Sequence, residues 1–323
     1  MKSIYFLLLL VSFFFASCSV EVETDSNTER KTTEVSEDFL TTQQVQFLNS
    51  VSSINQKYEQ CTRGAGAKFA RWGLLAIADG IGGCLGSGVA SWITSAAAST
   101  AYDAYLNHCQ RKMAKSLSFG SVQARRCVST DDSLYQSVLQ SVTFSFCDSL
   151  PQNATDSIGF VHNKLIEQTA SNTNTEKYYI NDSIDYDNIM SVCQIAASDL
   201  CYLNTEVLEI NKSDFPKVCN NVINIFEKLQ NNKITSDSAF MNIKDCLANV
   251  KEISNSALFI SLLARYISSC FSGEFQLNDV QSYADSLNLA LKSANLSEKD
   301  NILCRKILQT AICSFLYWKY YHE

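Results

Sequence analysis

The residues with which this chain of 323 could do chemistry are few: three histidines, thirteen cysteines and one short run of spaced aspartates. His108, His162 and His322 never pair at metal-ligand spacing, and H-E-x-x-H is absent, so a histidine-built metal centre is not expected. Asp182, Asp185 and Asp187 are spaced like the start of a calcium loop, but the glycine and closing glutamate of such a loop are missing. Helix capping accounts for them better. No G-x-S-x-G, Walker loop or strand-borne G-x-G-x-x-G occurs, so there is neither a nucleophile elbow nor a phosphate cradle.

One stretch concentrates polar groups: Asn153-Ala-Thr-Asp156-Ser-Ile-Gly159-Phe-Val-His162-Asn163. Asp156 is placed to cap a helix that turns Ile158, Val161 and Leu165 inward, and Gly159 admits a close neighbour. His162 and Asn163 then fall on its first turns. Asp156, Gly159, His162 and Asn163 form the candidate polar motif, with room for a partner from elsewhere in the chain. A lone histidine with no visible nucleophile or second base is poor equipment for catalysis. The expectation is a packing and capping motif, with His162 satisfied by a backbone carbonyl. No catalytic, cofactor-binding or metal residues are assigned, and the chain is not read as an enzyme.

The cysteines are at 18, 61, 84, 109, 127, 147, 193, 201, 219, 246, 270, 304 and 313. No two are spaced C-x-x-C, which removes zinc-ribbon and thioredoxin-like readings. Setting Cys18 aside leaves an even number, which invites disulfides if the chain is exported. Several others lie on apolar helical stripes, where a thiol behaves as a small hydrophobe. A mixture of disulfides and buried free thiols is expected.

The elements that must position these groups read as helices. Val45, Leu48, Val51, Ile54, Tyr58 and Cys61 recur every three or four residues, with Ser36 or Asp38 as cap. Ile189, Val192, Cys193, Ala196, Leu200 and Leu203 make a second stripe, capped by Ser183 or Asp185. Residues 213–230 carry Val218, Val222, Ile223 and Phe226, and 235–251, 253–272, 277–293 and 297–321 follow the same period. Ser297-Glu-Lys-Asp300 resembles a capping box. Residues 133–146 fit a strand or a helix equally well. Loops are expected near 118–132, 148–156, 171–182 and 204–212. Only two prolines punctuate the chain. The fold class is therefore all-α, an irregular bundle of about eight helices.

At its centre should lie residues 64–101, with eight glycines between 64 and 88 and, from Trp72 to Ala101, one charge, Asp79. Asp79, Gly83, Ser87, Ser91, Ser95 and Ser99 follow one another at four-residue steps, and Gly82-x-x-x-Gly86 is a close-packing motif. Each glycine costs a helix about 1 kcal/mol, which close packing must offset. Three arrangements compete: a membrane-inserting hairpin bent at Gly80–Gly83, a single membrane span, and a central helix or hairpin buried in a bundle. Asp79 and the serines favour burial.

The N-terminus reads as a targeting segment. Lys2 precedes the apolar run Ile4–Phe15, broken only by Ser12, and Ala16-Ser17 are small. The run is shorter than the ~20 residues of a membrane span. Phe15-Ala16-Ser17-Cys18 resembles a bacterial lipobox, implying a 1–17 signal peptide and diacylglycerol and palmitate on Cys18. Residues 19–37 hold six acidic and two basic residues and almost nothing apolar, a flexible tether. The helical domain is then 38–323. The net charge of −7 gives no basic footprint, so nucleic acid is not an expected partner.

The pattern D-x-I-G-x-x-H-N at 156–163 resembles a motif of uncharacterised exported lipoproteins of Bacteroidota. These proteins also carry an upstream Gly/Ala-rich segment and a closing A-x-x-S-x-x-[YF]-W helix, matched here by Ala311, Ser314, Tyr317 and Trp318. The high cysteine count departs from the group, which brings no activity with it. The reading adopted is a cell-envelope protein, expected to be outer-membrane lipid-anchored and periplasmic or surface-exposed, that binds or scaffolds an unknown protein partner. One alternative is a membrane-active protein, bacteriocin-like or its immunity partner, using residues 72–101. Another is a eukaryotic secreted, disulfide-containing protein, since Asn153, Asn181, Asn211 and Asn295 begin N-x-S/T triplets.

Overall fold

The structure, a computed structural model, describes residues 39–59, 68–85, 89–116, 133–146, 158–171, 175–199, 214–231, 233–250, 253–271 and 277–322. Cys18, Asp156 and Gly86, and the proposed signal and tether, lie outside them. The described chain is all-α, with eleven α-helices: α1 Thr42–Glu59, α2 Lys68–Cys84, α3 Val89–Ser116, α4 Ser133–Ser145, α5 Ile158–Ile166, α6 Tyr186–Asp199, α7 Asp214–Gln230, α8 Ser236–Leu247, α9 Ala257–Cys270, α10 Leu277–Ser293 and α11 Glu298–His322. Asp38–Glu323 is a single unit. The ambiguous stretch 133–146 is helical because Tyr135, Val138, Leu139 and Val142 share a buried face that packs on α10 and α11.

Local signals explain where helices begin. Ser297 Oγ accepts the Asp300 backbone N–H at 3.1 Å, as a capping box requires. Asp185 Oδ1 accepts the Asn188 N–H at 3.1 Å, which caps α6. The cap of α1 is neither Ser36 nor Asp38. Thr41 Oγ1 accepts the Gln44 N–H at 3.2 Å and Gln44 Oε1 accepts the Thr41 N–H at 2.9 Å. The reciprocal Thr/Gln pair satisfies two terminal donors at once, so the helix starts there. Just before α6, β1 (Tyr179–Ile180) and β2 (Ser183–Ile184) pair around Asn181 and Asp182, both at positive φ, in a two-residue turn.

The helices form two shells. Inside, α2 lies most extensively against α11 and α3, and α5 fills the space between α3 and α11. Outside, α1, α9 and α10 pack on one another, α4 rests on α10 and α11, α6 covers α3, and α7 and α8 pair. The glycine-rich segment is thus a helical hairpin buried in the bundle. The bend at Gly80–Gly83 that the membrane-inserting hairpin required is not found; α2 runs through these glycines to Cys84. They serve contact instead. A Cβ on Gly82 would lie 2.7 Å from Ala98 Cβ and 2.9 Å from the Thr94 carbonyl oxygen, and one on Gly80 would lie 3.2 Å from the Ile307 carbonyl oxygen. Close backbones leave no gap, so a bend there would break two interfaces. No helix among the described residues is long and apolar enough to cross a membrane.

Candidate functional site

Helix α5 is only nine residues long, yet eight of them are buried, with Lys164 the exception. A helix apolar nearly all round belongs in a core. Gly159 is the point of closest approach. A Cβ there would sit 2.6 Å from Cys313 Sγ and 2.9 Å from the Gln309 carbonyl oxygen of α11. Only glycine admits this contact. It brings the next turn, His162 and Asn163, against four other helices.

His162 faces side chains rather than the expected backbone carbonyl. Its Nε2 lies 3.1 Å from Oδ2 of Asp79 on α2, with neither side chain exposed. Its Nδ1 lies 2.9 Å from Oγ of Ser95 on α3. Ser95 Oγ donates in turn to the Asp79 backbone carbonyl at 2.8 Å. Ser314 of α11 donates to Asp79 Oδ2. Trp318 Nε1 donates to Ser99 Oγ at 3.0 Å. Asn163 Nδ2 donates to Tyr135 OH at 3.0 Å and to the Cys313 carbonyl at 2.8 Å, tying α4 and α11 to α5. Five helices therefore meet in one buried polar knot.

Burial pushes the Asp79 carboxyl above the usual carboxylate range, against the downward pull of His162, Ser314 and Ser99. The donor inventory fixes the imidazole. A serine hydroxyl has one proton, and that of Ser95 goes to a carbonyl that can only accept. His162 Nδ1 must therefore be the donor to Ser95 Oγ.

Ser95, His162 and Asp79 contain the residue types of a hydrolase triad but not its wiring. In a triad the imidazole accepts the serine proton and donates its other N–H to the carboxylate. Here the imidazole donates to the serine, whose own proton is committed to the main chain. All three residues are 0% exposed, so no substrate reaches them. The arrangement holds helices together.

Of the predicted motif, Gly159, His162 and Asn163 come together, while Asp156 lies outside the described residues. The sequence reading missed the partners Asp79 and Ser95. One signal pointed to them: a lone carboxylate in an otherwise uncharged helix needs a partner when buried. The Gly/Ala-rich segment, the D-x-I-G-x-x-H-N stretch and the closing A-x-x-S-x-x-Y-W stretch supply Asp79, His162 and Ser314 respectively.

The remaining candidates are quieter. Cys84, Cys109, Cys193, Cys219, Cys246, Cys270, Cys304 and Cys313 are free thiols. Burial pushes Cys84 and Cys193 up to about 12, so they stay protonated and unreactive. The other cysteines lie outside the described residues. No group of three or more His, Cys, Asp or Glu that could hold a metal ion occurs among the described residues. Asp185 caps a helix, as expected. A solvent-open cleft of about 390 Å³ lies between α7 and α8, with Val218 and Val250 beneath Asp214, Asn221, Asp245 and Asn249. Comparison of the chain with models of protein families, with curated proteins and with solved structures found no match.

Proposed function

We propose that this chain is an exported cell-envelope protein, anchored by lipid on Cys18, whose helical domain binds or scaffolds a partner and does not catalyse. The observation that carries the reading is the N-terminal order Lys2, Ile4–Phe15, Ala16-Ser17-Cys18, followed by an acidic tether. The buried knot supports the second half, because its one triad-like constellation is sealed and wired for structure. The meeting of the three resembling segments supports kinship with the exported lipoproteins of Bacteroidota, since shared short motifs would then mark one shared core.

Insertion of residues 72–101 into lipid is the weaker alternative. It would require stripping Asp79 from His162 and Ser314 and exposing Gly82 to lipid. The secreted-glycoprotein alternative draws on Asn181 and Asn295, two triplet asparagines that are both exposed at turns. One experiment separates the readings. Cys18→Ser should abolish palmitate labelling and release the protein from membranes or stall its precursor. Unchanged labelling and fractionation would end the lipoprotein proposal. A mass loss on treatment with an N-glycosidase would instead favour the secreted glycoprotein.

A further inference from the structure

The Asp79–His162 contact raises a question of proton count. With Nδ1 committed as a donor to Ser95, one more proton is available to the 3.1 Å gap between His162 Nε2 and Asp79 Oδ2. It belongs to the nitrogen or to the carboxyl. In either case the pair is neutral overall. Adding a proton leaves net charge +1 in the core, and removing one leaves −1. Both residues are 0% exposed, so solvent stabilises neither charge.

Among the described residues, the groups that bear on Asp79 besides His162 are the hydroxyls of Ser314 and Ser99. From α3 the pair meets the hydroxyls of Ser95 and Ser99, and from α11 the hydroxyl of Ser314. Asp103, one turn beyond Ser99 on α3, is occupied by Thr175 Oγ1 at 2.7 Å and Asn107 Nδ2 at 3.0 Å. From α7 the nearest titratable group is Cys219, whose thiol is pushed up by burial and then by the Asp79 charge. On α5 itself, Lys164 turns outward to Glu167 at 3.0 Å. Lys306 of α11 reaches Ser91 Oγ at 3.0 Å, away from the pair.

We propose that Asp79 and His162 carry one trapped proton into the closed core, making the α2–α5 contact a lock that weakens as pH rises above neutral. The sign follows from counting protons on the pair. In the unfolded chain an aspartate and a histidine together hold two protons below about pH 3.9, one from there to about 6.5, and none above. The folded pair holds one throughout. Above about 6.5 the native state therefore binds one proton more than the unfolded chain, and stability falls with pH. Below about 3.9 the unfolded chain binds more, and stability falls with acid.

Asp79→Asn is the informative variant. Its amide N–H₂, standing where Oδ2 stands, can donate to a neutral Nε2 and to Ser314 Oγ, which then accepts, so both contacts survive without a proton to lose. The folding equilibrium constant of the purified chain is measured by urea unfolding between pH 6.5 and 8.5, below the ordinary titration of the cysteine thiols at ~8.5. His108 and His322 are common to both proteins and cancel in the comparison. The parent should lose up to about tenfold more per pH unit than Asp79→Asn. Equal slopes would overturn the proposal. Should Asp79→Asn not fold, the ¹⁵N shifts of His162 and the ¹³C shift of the Asp79 carboxyl in the parent decide alone: at pH 8 either Nε2 or the carboxyl must carry a proton beside Nδ1–H, and a bare Nε2 facing an ionised carboxylate would overturn the lock.

Discussion

Where α2 crosses α3, a methyl on Gly82 would lie 2.9 Å from the Thr94 carbonyl oxygen. Where α1 crosses α9, Phe47 and Phe259 meet edge to face with ring centres 6.2 Å apart. The inner shell brings backbones together through residues with almost no side chain. Serines, an aspartate and a histidine then bridge what little space is left. The outer shell keeps its helices a ring apart, with Tyr58 on Tyr283 at 5.3 Å and Phe271 on Tyr283 at 6.2 Å. Polar groups appear there as isolated staples. Tyr283 OH donates to Asn55 Oδ1 at 2.9 Å, and Asn55 donates to the Tyr266 carbonyl. A ring-filled interface tolerates adjustment, because side chains can repack. A backbone-on-backbone interface has nothing that can move aside.

The contrast predicts an order of mutational damage, readable as shifts in the urea midpoint. Gly159→Leu should be worst. Its branched side chain would have to occupy space held by Cys313 Sγ and the Gln309 carbonyl, costing more than ~3 kcal/mol and removing cooperative unfolding. Phe259→Ala in the outer shell should follow, at about 3–5 kcal/mol with cooperativity intact. Loss of cooperative unfolding there as well would erase the distinction between the shells. Gly82→Ala should cost about 1–3 kcal/mol, although alanine is the better helix former by about 1 kcal/mol. Its neighbour gives the sharpest contrast. A Cβ on Gly83 meets nothing nearer than Ile158 Cδ1 at 3.5 Å, so Gly83→Ala should stabilise by about 0.5–1 kcal/mol. Opposite signs at adjacent glycines are the outcome that close backbone contact requires, and matching signs would refute it.

The two shells also differ in how far they could be read in advance. The outer helices α7 to α10 carry apolar stripes at helical spacing, and their limits fall close to those expected. Val218, Val222, Ile223 and Phe226 are all buried, as their period requires. The inner hairpin was legible as tight packing but not in its geometry. Glycines in a helix signal either a bend or a close neighbour, and only the identity of the neighbour decides. Here Ala98 and Thr94 claim Gly82, and Ile307 claims Gly80, so the helix continues to Cys84. His162 could be singled out from its motif, but its partners are 83 and 67 positions away, beyond any local pattern. Helix count was underestimated for a related reason: a small piece such as α4, whose pattern fits a strand equally well, takes its helical state from the core it fills.

The tie at Asp300 has a consequence for the order in which this chain can fold. Its carboxylate accepts from Gln44 Nε2 at 3.0 Å, from Ser256 Oγ at 3.0 Å and from Ser297 Oγ at 2.8 Å, so α1, the start of α9 and the head of α11 are fastened at one point. Gln44 and Asp300 are 256 positions apart, and Asp79 and Ser314 are 235 apart. Contacts this distant require the loop to close before they return any energy. A chain growing from its N-terminus has α2 and its buried carboxyl ready long before α11 exists to cover them. Until the 25 residues of Glu298–His322 have been made, the hairpin lacks its main neighbour and Asp79 lacks Ser314. The core should therefore stay open while everything before α11 is synthesised, and close only once that helix can reach it.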